Sequence, residues 1–196
     1  KKKYKYNINI DGMHQAINSL AVLGVLLITK SNIEKGINNL YKSIIPAGRG
    51  NKHNLIIDSQ KSLLIDDSYN ANPSSVIASL KSLHEIAKNN RKVLILGEMG
   101  ELGKFSLSLH KNLFSYLIST KINLVIFVGK NTKGLYDVSK SKIECTWAID
   151  SEQVIKTGKM DIIKPMDAIL VKGSRYMKME VIVNYLIAKY KTKVAD

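Results

Sequence analysis

From residue 4 onward the chain alternates apolar and polar side chains: Tyr4, Tyr6, Ile8 and Ile10 are separated by Lys5, Asn7 and Asn9. A repeat of two is the side-chain period of a strand, and it predicts one over residues 4–10. Asp11 and Gly12 then form a turn. Beyond them the period lengthens. Ile17, Leu20, Ala21, Gly24, Val25 and Ile28 share one face of a helix over residues 13–29. Ser31 and Asn32 are cap residues for a second helix that runs to about Tyr41, with Glu34 and Lys35 in its early turns. The texture breaks at Pro46-Ala47-Gly48-Arg49-Gly50, a linker by composition. The boundary expected there separates residues 1–46 from residues 47–196.

After the boundary, short apolar runs alternate with amphipathic stretches. Residues 55–57 and 62–65 predict a hairpin. Pro73 opens a helix that runs to about Asn89, because proline suits the first helical turn. Buried strands are expected over residues 92–96, 124–128, 144–148 and 167–171. Helices are expected over residues 106–119, 151–159 and 179–191. Alternating strands and helices imply an α/β fold whose mostly parallel sheet is covered on both faces.

Composition narrows the class. Of the 196 residues, 45% are hydrophobic, enough for a packed core. The single cysteine, Cys145, excludes a disulfide framework. No apolar run nears the roughly 18–20 residues of a membrane span. The net charge of +14 invites a nucleic-acid partner, yet arginine supplies only Arg49, Arg91 and Arg175. The lysines are scattered, and the chain lacks the basic helix and aromatic-rich motifs of nucleic-acid readers. The charge reads as a solvated surface on which the arginines stand out.

Three peptides follow predicted strands, at the edge of a parallel sheet where ligands bind. The first is Asp66-Asp67-Ser68-Tyr69-Asn70-Ala71-Asn72-Pro73, with more polar groups than one helix cap requires. The second, Gly97-Glu98-Met99-Gly100-Glu101-Leu102-Gly103, superficially suggests a phosphate loop. Its spacing fails, since five residues separate Gly97 from Gly103 and Phe105 follows Lys104, where the motif needs four and a hydroxyl residue. Glu98 and Glu101 would also place negative charge at the phosphate. A structural turn with an acidic contact fits better than a stand-alone nucleotide-binding module. The third, Lys172-Gly173-Ser174-Arg175, offers cations and a hydroxyl suited to a carboxylate. His14, His53, His84 and His110 have no metal-ligand spacing and read as structural, while Cys145 and Trp147 read as core.

Together these peptides, with His110, Met177 and Glu180, resemble the Mur ligases. Gly12-Met13-His14-Gln15-Ala16-Ile17-Asn18 is similar to the family's Gly-x-His-Asn-x-x-Asn segment, with Gln15 in place of the first Asn, and Gly48-Arg49 to its interdomain Gly-Arg. The string from Asp66 to Asn72 is similar to that of the family member that adds D-alanyl-D-alanine to UDP-N-acetylmuramoyl-tripeptide in peptidoglycan synthesis. The resemblance implies a Rossmann-like C-terminal domain at residues 47–196. It implies that residues 1–46 are the last strand and helices of a central ATPase domain whose phosphate loop lies upstream. It further implies a bacterial, cytoplasmic, monomeric enzyme using ATP and Mg²⁺, with no nucleic-acid partner and no stable membrane insertion. This chain would need the N-terminal and central domains as partners and would be inactive alone, with no catalytic or metal residues of its own. By the same resemblance, Asn18, Gln15, Arg49 and Asp67 bind ATP. Tyr69, Asn70, Asn72, Lys172, Ser174 and Arg175 line the incoming dipeptide.

Overall fold

A computed structural model of the protein describes residues 3–8, 13–42 and 46–190. The chain divides into two compact units, Lys1–Pro46 and Ala47–Asp196.

In the first unit, α1 (Met13–Ile28) and α2 (Ile33–Tyr41) pack against one another. Asn32 caps α2 by accepting from the Lys35 amide at 2.9 Å. Gly36 lies against the Leu26 side chain, so the second helix approaches the first without a Cβ in the way. Among the described side chains of α1 only Ser19 and Leu23 are buried, whereas Ile17, Leu20, Val25 and Ile28 of the expected face are exposed. The alternating segment is not a strand over residues 3–8. Alternation alone does not make one, because a strand needs a neighbour for its backbone groups, and none is present in this unit among the described residues. Residues 9–12, including the Asp11-Gly12 turn and the first residue of the Gly12–Asn18 motif, lie outside the described residues.

The second unit is built on a six-stranded sheet in the order β1-β2-β6-β3-β4-β5. The strands are β1 (Asn51–Ile57), β2 (Gln60–Asp67), β3 (Lys92–Leu96), β4 (Leu124–Val128), β5 (Glu144–Ala148) and β6 (Ala168–Lys172). The β1–β2 hairpin is antiparallel, and it is longer than its apolar runs suggested. The other neighbours are parallel. The helices are α3 (Pro73–Ile86), α4 (Ser106–Lys111), α5 (Phe114–Ser119), α6 (Lys133–Ser139), α7 (Ser151–Lys156) and α8 (Glu180–Tyr190). This is the expected Rossmann-like α/β architecture.

Its continuous apolar strands follow from burial on both faces. Val93, Ile95, Ile126, Ile169 and Val171 join one core with Val154, Ile182 and Leu186 from α7 and α8. The intervening Leu94, Leu96, Val125, Phe127 and Leu170 join the other with Val76, Leu80, Leu117 and Leu135 from α3, α5 and α6. At roughly 25 cal/mol per Å² of apolar surface removed from water, this double burial dominates the stabilisation of the fold.

Several details differ from the sequence expectation. The helix expected over 106–119 is broken at Asn112 and Leu113, where the Leu113 and Tyr116 amides bond carbonyls only three residues back. The helix α6 has too short a periodic stretch to stand out in the sequence. Cys145 and Trp147 are half-buried rather than core, because β5 is an edge strand with a neighbouring strand on one side only. Burial still pushes the Cys145 thiol up, away from the reactive thiolate.

Candidate functional site

Because β2, β6 and β3 are parallel neighbours, their carboxyl ends lie side by side. The three polar peptides leave from those ends, so the topology gathers what the sequence spreads over more than a hundred residues.

Two glycines permit the meeting. A Cβ on Gly173 would stand 3.0 Å from Gly97 Cα and 2.6 Å from Met179 Cγ. No side chain fits there without shifting backbone. The Gly97 amide donates to the Lys172 carbonyl at 2.7 Å and extends the ladder by one bond. These glycines serve close packing between loops, which accounts for their mismatch with a phosphate loop.

Beneath the loops sits an ion pair between a buried lysine and a half-buried carboxylate. Lys172 Nζ donates to Asp67 Oδ2 at 2.7 Å and to the Asn70 carbonyl at 3.0 Å. Ser79 of α3 donates to the same Asp67 oxygen at 2.6 Å. The Lys172 side chain is only 3% exposed, so its ammonium shapes the 66–73 turn from below. Ser174 is also buried. Its Oγ accepts from the Gly100 amide at 2.6 Å and donates to the Ala71 carbonyl at 3.2 Å, joining all three peptides. Asn72 faces solvent as the N-cap of α3, accepting from the Ser75 amide at 2.8 Å in a capping box. Asn70 is exposed, and its Oδ1 accepts from the Ala71 amide at 2.8 Å.

Above this floor lies a cationic, aromatic surface. Tyr69 is exposed. The Arg49 guanidinium stands 4.3 Å and that of Arg175 5.8 Å from its ring centroid. Two of the chain's three arginines thus converge on one phenol, within cation–π reach. Arg49 is held there because Gly48, at φ +76°, accepts from the Tyr69 amide at 3.0 Å through its carbonyl. Asn18 and Gln15 belong to α1 of the first unit, where Asn18 is exposed and Gln15 half-buried.

Further residues complete the loops without having been singled out from sequence as site residues. The buried Glu98 carboxylate accepts from the Asn131 amide at 2.9 Å, from Asn131 Nδ2 at 2.7 Å and from the Tyr176 hydroxyl at 2.7 Å. Burial and this carboxylate push the Tyr176 phenol up, so it remains a protonated donor. Asn131 follows β4, the next strand along, and a glycine with polar residues after a buried strand was the available signal. The fully buried His110 accepts the Met99 amide at Nε2, 2.9 Å away, and bonds the Ser106 carbonyl through Nδ1 at 2.7 Å. That pairing requires the neutral imidazole, and burial lowers its pKa accordingly. Among the described residues no group of three or more His, Cys, Asp or Glu side chains is placed to hold a metal ion.

The family described as Mur ligase, glutamate ligase domain, matches residues 54–175. A UDP-N-acetylmuramoyl-tripeptide–D-alanyl-D-alanine ligase of Rickettsia prowazekii (strain Madrid E) is 37% identical over 88% of this chain. The match covers 37% of that relative, so the chain spans a little over a third of its length. MurF of Acinetobacter baumannii superposes with a TM-score of 0.75 at 24% identity, over 93% of this chain and 39% of that one. MurF of Thermotoga maritima, solved in complex with ADP, gives 0.71 at 23% identity, over 91% and 39%.

Proposed function

The chain belongs to the Mur ligase family, and from that premise we propose that it is the C-terminal part of an ATP-dependent ligase joining D-alanyl-D-alanine to UDP-N-acetylmuramoyl-tripeptide. The observation that carries the reading is the convergence of Tyr69 and Arg175, from the adjacent carboxyl ends of β2 and β6, with Arg49, which leads into β1, beside the Asp67–Lys172 pair. The identity of the Rickettsia relative and the Asp66–Asn72 string support this ligase over others of the family.

In this reading the tripeptide carboxylate is activated by ATP as an acyl phosphate. The dipeptide amine attacks it, forming the amide and releasing ADP and phosphate. The residues of this chain bind and orient. Arg175 receives the dipeptide carboxylate with charge-assisted hydrogen bonds, which positions the amine at the other end of the molecule. Tyr69 and Asn70 flank it from the 66–73 turn. Arg49 reaches the nucleotide's ribose or phosphate, and the Asp67 oxygen not held by Lys172 accepts from ribose hydroxyls. Asn18, beside Gln15, contacts adenine. Lys172 and Ser174 hold the loops in place from beneath, and Asn72 starts α3. The Mg²⁺ that the family implies finds no ligand set among the described residues, and residues 1–46 belong with a central ATP-binding domain.

Steady-state kinetics of a full-length ligase carrying this chain test the reading. Arg175→Ala is expected to raise the KM for D-Ala-D-Ala more than the KM for ATP, and the reverse ordering would overturn it. The 196-residue chain alone is expected to release no phosphate from ATP when D-Ala-D-Ala is added; release would sink its assignment as a part that needs the central domain.

A further inference from the structure

Arg175 already has an anion of its own. Glu180 Oε1 lies 3.0 Å from Arg175 Nη1, with the arginine side chain 64% exposed and the glutamate 32%. The pairing is single. Glu180 Oε2 is buried without a hydrogen-bond partner, whereas a two-pronged fork would have satisfied both oxygens. Glu180 is the first residue of α8, where the helix dipole favours a carboxylate. The acid is therefore stabilised by its own helix as well as by the arginine.

The backbone between the two residues is pinned. Residues Arg175–Met177 form one 3₁₀ turn, and Lys178 turns left-handed at φ +50° to bring the chain into α8. Ser174 on one side is tied to Gly100 and Ala71, and Tyr176 on the other to Glu98. What is left free to move is the exposed Arg175 side chain. It can lie against Glu180 or swing to another carboxylate.

Resting on the reading that Arg175 receives a ligand carboxylate, we infer that Glu180 is an internal counter-ion that holds this guanidinium in the ligand-free chain and competes with the incoming carboxylate. Binding then exchanges one carboxylate for another on the same arginine. The exchange lowers affinity and favours ligands able to engage the guanidinium at two points over weaker, single-point anions.

The variants Glu180→Gln and Glu180→Ala separate charge from position. E180Q keeps an acceptor oxygen for Arg175 while removing the competing charge, and E180A removes both. D-Ala-D-Ala is titrated into the chain and followed through the backbone amide signals of residues 172–176. E180Q is expected to bind about two- to five-fold more tightly than wild type, in keeping with the strength of a partly exposed ion pair. Arg175→Ala is expected to lose the binding. Equal or weaker binding by E180Q, with binding still lost in Arg175→Ala, overturns the counter-ion role and leaves the Arg175 contact standing. Undiminished binding by Arg175→Ala overturns the contact itself. A ligand-free measurement decides the pairing independently. Restricted rotation of the Arg175 guanidinium, seen as separated Nη resonances, is expected in wild type and lost in E180A. Averaged resonances in wild type overturn the pairing.

Discussion

The two edges of the sheet each carry an arginine beside acidic residues, and they use it in opposite ways. At the amino edge Arg91 donates to the Ile162 carbonyl, to Asp167 Oδ2 and to Glu144 Oε2, each at 3.1 Å. Its side chain is 21% exposed and the Asp167 carboxylate 1%. At the carboxyl edge Arg175 is largely exposed and its one acid partner touches a single nitrogen. A guanidinium has five N–H donors in a fixed fork. Where the fold consumes three of them, the arginine is a clamp between segments. Where the side chain is exposed and meets one acid through a single ion-pair contact, the fork is available to a ligand. Residue type and charge are the same in both places, so it is the number of contacts and the exposure that separate a structural clamp from a candidate ligand contact.

The largest effect expected from this contrast is at the clamp. Arg91→Ala leaves Asp167 buried without its cation and should cost about 3 kcal/mol, read from denaturant midpoints, while D-Ala-D-Ala affinity stays unchanged. An affinity loss as large as that of Arg175→Ala would erase the distinction between the edges. Next comes the loop junction. Gly173→Ala forces a Cβ against Gly97 and Met179 and should destabilise by roughly 2 kcal/mol, as overpacked sites do. A near-neutral result would show that the loops can part. Arg175→Ala should change stability by less than about 0.5 kcal/mol, since exposed pairs contribute little. A loss comparable to that of Arg91→Ala would make Arg175 a second clamp.

The smallest effects are in pH dependence, and here the edges differ in sign. Near the carboxyl edge His110 is held neutral with its pKa lowered from 6.5, chiefly by burial. The unfolded chain takes up a proton that the folded chain refuses, so stability is lost as pH falls below 6.5. His110→Gln should flatten that part of the stability curve, even though it loses stability overall. At the amino edge burial is the main cause raising the Asp167 pKa above 3.8, partly opposed by the Lys164 amide and Arg91. There the folded chain holds the proton more tightly, so stability is lost as pH rises from 3.8 through the raised value. Asp167→Asn should remove this slope. Chemical denaturation across the two pH windows measures both.

Much of the second unit was legible because its pattern is extreme. The runs at 92–96 and 124–128 coincide with β3 and β4, since strands buried on both faces are nearly continuous apolar runs. Boundaries were less legible where a local contact rather than periodicity ends the element, as at the break between α4 and α5. The site was legible as three separate peptides of unusual chemistry. Its internal division of labour was not. Nothing in Lys172-Gly173-Ser174-Arg175 says that the first and third side chains turn inward and the fourth outward. In strand geometry alternate residues do face opposite ways, but the ion pair of Lys172 depends on Asp67, 105 residues earlier.

The sequence by itself determined the α/β class, the family, the peptides that matter and the strands of the second unit, because periodicity, turn chemistry and motif strings are local properties of the chain. The strand order β2-β6-β3, the approach of Gly97 to Gly173 and the partners of each charged group belong to the tertiary structure alone. Hydrogen bonds and ion pairs act over a few ångströms in space, and no local pattern specifies which distant residue will fill that space. That is why three arginines of one sequence become a three-bond clamp at Arg91 and two exposed cations over Tyr69 at Arg49 and Arg175.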